Sequence, residues 1–209
     1  MSTMALHADE MSAVDLDPDV NPDAPLHIRA LNHTTLPVHD RYKAAKFYVV
    51  VLGAEMHHES DPDRVKQGKA RALQVGVRLC SGLELDLFEQ NYGQPKWDQS
   101  HPHIAFDVTK DSLLRWAEHL KKWGVPFVGP MTRAGSGAAE IYFNDPDGNH
   151  LELYCAKFPN SDSLPSGPFD KSAVVHQKPW PAPELEAEAN RLLEASLKRM
   201  RARKAKKTA

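Results

Sequence analysis

Cysteine is nearly absent from this chain: Cys80 and Cys155 are the only two in 209 residues. Two thiols cannot make a disulfide scaffold. Their scarcity fits a reducing compartment, and a cytoplasmic location is the expectation. Long apolar runs are also missing. No stretch approaches the ~18 uninterrupted apolar residues of a spanning helix, so a membrane role is not expected. The start of the chain, residues 1–25, has six acids, no Lys or Arg and no apolar run, unlike a secretory signal. Nor does one sign of charge dominate. With 26 basic and 28 acidic residues the net charge is −2, which gives no global pull toward nucleic acid or an anionic membrane.

Apolar residues reach 41%, enough for a real core. The length suits one domain with tails, or two small ones. Residues 1–26 read as a disordered acidic tail. Residues 158–183 are rich in proline, which fixes φ and removes a donor, so an extended surface segment is expected. From 184 to 201 the pattern turns helical, with Leu185, Leu192, Leu193, Leu197 and Met200 on one face. Glutamates near its start and basic residues near its end suit the helix dipole. This helix is expected to pack on the body or on a partner subunit. Residues 202–209 read as a basic disordered tail. That run has no aromatic side chains to stack bases, so a nucleic-acid partner is not expected. The folded body is then 27–157.

The body contains one unit twice, at about 27–90 and 101–157. Each copy opens on a strand, at 29–38 and at 102–108. Each then runs into a helix that ends at a glycine, Gly53 or Gly124. Three strand candidates follow in each: 55–58, 72–79 and 83–88, then 126–131, 139–143 and 151–155. Each copy reads β-α-β-β-β, and each closes on Leu-Glu-Leu, at Leu83–Leu85 and Leu151–Leu153. The expected fold is α+β: two modules forming a curved mixed sheet around a cavity, with an added C-terminal helix. The repeat puts His33 and His103 at matching places in the first strands, and Glu84 and Glu152 at matching places in the last. Alternate side chains share a strand face. Two imidazoles and a carboxylate in one cavity suit a divalent metal with open positions.

Several motifs carry a family resemblance. They are Leu31-Asn-His33, Phe47-Tyr48 with Leu52-Gly53, His103-Ile-Ala-Phe106, and Tyr142-Phe-Asn-Asp-Pro-Asp-Gly-Asn149 running into Leu151-Glu-Leu153. Together they resemble the vicinal-oxygen-chelate superfamily of glyoxalases, bleomycin-resistance proteins and extradiol dioxygenases. The resemblance implies three metal ligands, His33, His103 and Glu152. It implies a divalent metal, with Fe(II) favoured and Mn, Ni or Zn as alternatives. It implies a small-molecule substrate offering two neighbouring oxygens to the ion. The apolar face of the C-terminal helix points to a homodimer, and the two modules could pair within one chain or swap between chains. Glu84 or Asp86 matches the place of a fourth carboxylate in glyoxalases. Tyr142 matches the tyrosine that hydrogen-bonds substrate oxygen in extradiol enzymes, and His57 or His58 is a candidate base. The turn at Asn144–Asn149 reads as the structural device that aims Glu152 inward.

Among the superfamily's chemistries, a non-haem Fe(II) ring-cleaving dioxygenase acting on an aromatic diol with O2 is the favoured reading. A glyoxalase-like lyase or isomerase using Ni, Zn or Mn is the alternative, followed by a metal-free binding protein of the resistance type. The lyase needs a base in the fourth strand, whereas the dioxygenase needs that flank open. A fosfomycin-resistance activity is disfavoured. Its phosphonate-binding lysine would fall near Thr132 and a further arginine near Ser161, and neither place carries a cation.

Overall fold

The structure is a computed structural model describing residues 33–68, 73–80, 83–89, 103–132, 136–167 and 170–208. The acidic start and His101 lie outside these residues, as do Arg71 and Arg133.

Both modules form as the repeat predicts. The first comprises β1 (His33–Val38), α1 (Arg41–Val51), β2 (Glu55–Glu59), a one-turn helix α2 (Pro62–Lys66), β3 (Gln74–Cys80) and β4 (Leu83–Glu89). The second comprises β5 (Ile104–Asp107), α3 (Lys110–Lys122), β6 (Phe127–Met131), β7 (Ala139–Asn144) and β8 (His150–Cys155). Each gives a four-stranded mixed sheet of the same order, β1-β4-β3-β2 and β5-β8-β7-β6. In each sheet the first and last strands pair in parallel, and the remaining pairs are antiparallel.

Local chemistry sets these boundaries. The Asp40 side chain caps α1 by accepting from the backbone N–H groups of Tyr42 and Lys43. Gly53 and Gly124 end α1 and α3 at φ +67° and +64°, a conformation that side chains resist. The α2 helix was not foreseen, although its signal is present: Asp61 caps it and Pro62 opens it.

Alternation along the strands divides the side chains between two environments. Val38, Met56, Val75, Val77, Leu85 and Leu87 turn toward α1 and join one apolar core. Ile141, Phe143, Leu151 and Leu153 do the same in the second module. The core runs through both modules. Phe47 of α1 packs edge-on to Tyr48 and Trp180 and lies 6.5 Å from Phe143. The opposite sheet faces carry the polar residues that concern function.

The C-terminal segment wraps the body. It is not simply extended, because two 3-10 turns form at Ser161–Ser163 and Lys171–Val174. Val174 packs on Met131 and Tyr142. The buried Trp180 indole N–H donates to the Trp123 carbonyl at 2.8 Å. A long helix, α4 (Pro183–Thr208), then packs along α1 and β2. Ser196 bridges Glu55 and the Met56 backbone N–H, and Lys46 pairs with Glu186. The expectation of a disordered tail from 202 is corrected: the helix continues to Thr208. Arg203 finds a partner there, donating to the Met56 carbonyl at 2.8 Å.

Candidate metal centre

On the second sheet, β5 and β8 run side by side with Ala105 opposite Glu152. His103 stands two residues before Ala105 and therefore on the same face. Its Nε2 lies 2.6 Å from Glu152 Oε2. Glu152 is only 3% exposed, so its charge is held away from water with the imidazole as partner. Tyr142 sits opposite Glu152 on β7, equally buried. Its ring meets His103 edge-on and stacks on His150 at 5.6 Å between centroids. Its hydroxyl donates to Glu140 Oε2 at 2.8 Å. Sequence reasoning did not single out Glu140, although its place two residues before Tyr142 on a strand puts both on one face.

Behind this face the Asn144–Asn149 turn is tied to α1. Buried Asp145 accepts from the backbone N–H groups of Asp147 and Asn149, from the Asn149 side chain and from the Tyr48 hydroxyl. Burial is the main reason its pKa is raised to about 6.

The first sheet presents a second polar group. His33 opens β1 opposite Glu84, and Thr35 lies opposite Asp86. Both adjacent histidines of β2 reach Glu84: His57 Nε2 at 3.4 Å and His58 Nε2 at 3.3 Å. A register shift between Met56 and His58 turns both toward one face, where strict alternation would separate them. His58 Nε2 also lies 2.9 Å from Asp86 Oδ1. Arg78 contacts His57 Nε2 at 2.8 Å and donates to Glu84 Oε2 at 3.1 Å. Because arginine only donates, His57 Nε2 accepts and the ring is neutral with its proton on Nδ1. Its pKa is lowered, first by burial and then by Arg78 and His58. The Asp86 carboxyl is raised, first by burial, with the Glu84 charge adding to it.

The structure thus brings His103, Glu152 and Tyr142 together on one sheet, and His57, His58, Glu84 and Asp86 on the other. Among the described residues, the one group of three donors lying within 4.8 Å of one another is His58, Glu84 and Asp86. His33, His103 and Glu152 do not form such a group within one chain. Cys155 is free and buried. His119 and His176 are partly buried. They bond the carbonyls of Val51 and Asn144 respectively. No helix among the described residues is long and apolar enough to cross a membrane.

Known proteins resemble this chain over the two modules. A metallothiol transferase FosB of Staphylococcus saprophyticus is 29% identical over 128 residues, covering 61% of this chain and 77% of that protein. A fosfomycin resistance protein FosX of Listeria innocua is 26% identical over 127 residues, covering 61% and 90%. Among solved structures, a variant of FosX from Listeria monocytogenes, complexed with Mn(II) and a dihydroxypropylphosphonic acid, superposes with a TM-score of 0.51 at 23% identity. That match covers 66% of this chain and 98% of the other. A divalent-metal enzyme is what this company supports, whereas neither iron nor ring cleavage finds support in it. A family profile matches residues 30–153, and the chain belongs to the Glyoxalase/Bleomycin resistance protein/Dioxygenase superfamily.

Proposed function

We propose that this chain is a divalent-metal-dependent enzyme that adds a nucleophile to, or moves a proton on, a small substrate bearing two neighbouring oxygens. The observation that carries this reading is the His103–Glu152 pair, 2.6 Å apart on adjacent strands with the carboxylate buried. A buried carboxylate in line with one imidazole lacks only one more donor to suit a first-row divalent ion, and His33 supplies it. Such an ion acts as a Lewis acid toward developing negative charge on substrate oxygen. Mixed nitrogen and oxygen donors suit manganese, nickel or zinc as well as iron, and the FosX relative was solved with Mn(II).

The chain's own residues do the rest. His103 and Glu152 hold each other in place. The Tyr142 ring walls the site against His103, and its hydroxyl is anchored on Glu140. Ring cleavage with O2 needs an open flank beside the ion. Here the sheet carrying His33 presents Glu84, Asp86, His57 and His58 instead. Those groups close that flank, which disfavours oxygen chemistry there. Positions 132 and 161 themselves offer no cation to grip a phosphonate. Thr132 is 2% exposed and donates its hydroxyl to the Ala138 carbonyl, and Ser161 is buried too.

His33 sits on the first sheet and does not complete the set within one chain. We therefore place the complete centre between two copies, with His33 of one meeting His103 and Glu152 of the other. Complementation tests this directly. His33→Ala and Glu152→Ala homodimers should each lose one metal ion per chain. In a mixed dimer, one site would draw His33 from the Glu152→Ala chain and His103 with Glu152 from the His33→Ala chain. That site is fully native, so half the metal and half the metal-dependent turnover should return. The turnover screen would use epoxides with thiol or water, hemithioacetals, and catechols with O2. No recovery on mixing would sink the shared centre, and turnover confined to catechols with O2 would restore the dioxygenase.

A further inference from the structure

The cluster on the first sheet is chemically complete in a way the proposed centre is not. His58, Glu84 and Asp86 offer one nitrogen and two carboxylate oxygens, all within 4.8 Å of one another in a single chain. A divalent ion with bonds of about 2.1 Å holds neighbouring ligands about 3.0 Å apart at right angles and about 3.4 Å apart at tetrahedral angles. His58 Nε2 lies 2.9 Å from Asp86 Oδ1 and 3.3 Å from Glu84 Oε1. Those separations fit two ligands of one ion.

Three further observations argue against an ordinary ion-pair cluster. Asp86 Oδ1 is buried and has no hydrogen-bond partner, although the imidazole nitrogen is only 2.9 Å away. The two atoms lie side by side without the alignment of donor and acceptor. A buried acceptor left in that state costs about 1–3 kcal/mol, which a shared cation would remove. Next, β3 carries a glycine where the cluster crosses it. Gly76 stands between His58 and Asp86 in the register. A Cβ there would lie 2.7 Å from both Glu84 Oε1 and His58 Nε2. Any other residue would push the donors apart. Finally, Arg78 donates to Glu84 Oε2, leaving Oε1 toward His58. That is how outer partners orient a metal-bound carboxylate.

We propose that His58, Glu84 and Asp86 form a divalent-cation site of their own, complete within one chain and distinct from the ion assigned to His33, His103 and Glu152. Two carboxylates and one imidazole suit Zn2+ or Mn2+. The site does not depend on the functional reading given above.

The test is metal titration of the chelator-stripped full chain with Zn2+ and with Mn2+. Calorimetry would give stoichiometry, elemental analysis would check content after desalting, and circular dichroism would confirm the fold of each variant. Wild type should bind two ions per chain. Glu152→Ala should lose one and keep the other. Asp86→Asn, close in shape to the original, should weaken that remaining ion by about 100-fold or more, beyond the ~10–100-fold cost of losing an outer partner. Gly76→Ala should do the same while removing no donor. If Gly76→Ala does not fold, Asp86→Asn decides alone. A single ion per chain, lost equally in Glu152→Ala and Asp86→Asn, would overturn the proposal by making the cluster part of one centre. Wild-type binding in Asp86→Asn would overturn it as well. Two ions with only the Asp86-dependent one lost on substitution, and Glu152→Ala silent, would uphold this site and refute the proposed centre.

Discussion

Removing one hydroxyl from α1 should produce a stability loss that depends on pH in a defined direction. Tyr48 donates its proton to Asp145 Oδ2 at 2.8 Å, and Asp145 is fully buried. The rise of that carboxyl from 3.8 to about 6 corresponds to about 3 kcal/mol against folding when it is ionised. Asp145 holds its proton more tightly folded than unfolded. The penalty is therefore complete above about pH 6 and fades as pH falls toward 3.8. Tyr48→Phe leaves three N–H donors on the carboxylate but deletes the hydroxyl. A hydrogen bond to a charged group contributes about 1.5–3 kcal/mol, so that is the expected loss at pH 7.5. The same loss raises the Asp145 pKa further, so the variant protonates earlier as the solution is acidified. At pH 5 the difference from wild type should shrink by about 1 kcal/mol or more. Urea unfolding of both proteins at pH 7.5 and pH 5.0, at one protein concentration, measures this. Groups that titrate identically in the two proteins cancel in the comparison. A deficit equal at both pH values, or larger at pH 5, would refute the assignment of Asp145 as an ionised acceptor at neutral pH.

Two more outcomes follow from the packing. Trp180→Ala removes a 3% exposed ring seated on Phe47 and its bond to Trp123, and should cost about 3–5 kcal/mol in the same unfolding assay. A loss below 1 kcal/mol would mean the C-terminal wrap is only loosely attached. Tyr142→Phe strips Glu140 of a buried donor and should cost about 1–3 kcal/mol while leaving metal stoichiometry unchanged. Loss of metal in that variant would show that the phenol supports the ligands directly.

The duplicated β-α-β-β-β order was legible because turn residues and apolar alternation agree in both copies. Gly53 and Gly124 stop their helices where expected, and Leu85 and Leu153 occupy matching core positions. Pairing within a strand face was legible too: His103 and Glu152 meet because period-2 geometry and parallel pairing require it. What escaped depends on contacts between distant segments. Strict alternation separates His57 from His58, but a register shift in β2 brings both to Glu84, and nothing local in the sequence marks that shift. The helical run to Thr208 was hidden because its basic composition reads as a solvated tail. Its partners, Met56 and Glu59, lie about 140 residues earlier. The need for glycine at 76 arises from Glu84 and His58, side chains of neighbouring strands that cross it.

The position of α4 has a further consequence for the company this chain can keep. β2 is the outermost strand of its sheet, and an outermost strand offers unpaired backbone groups to any passing chain. Here Ser196 accepts the Met56 N–H and Arg203 donates to the Met56 carbonyl, so one helix answers both groups of that residue. Glu55 and Glu59 on either side are occupied by Arg199 and Arg201. The helix thus acts as a guard against strand-to-strand aggregation, closing the border through which the sheet would otherwise grow into a neighbouring molecule.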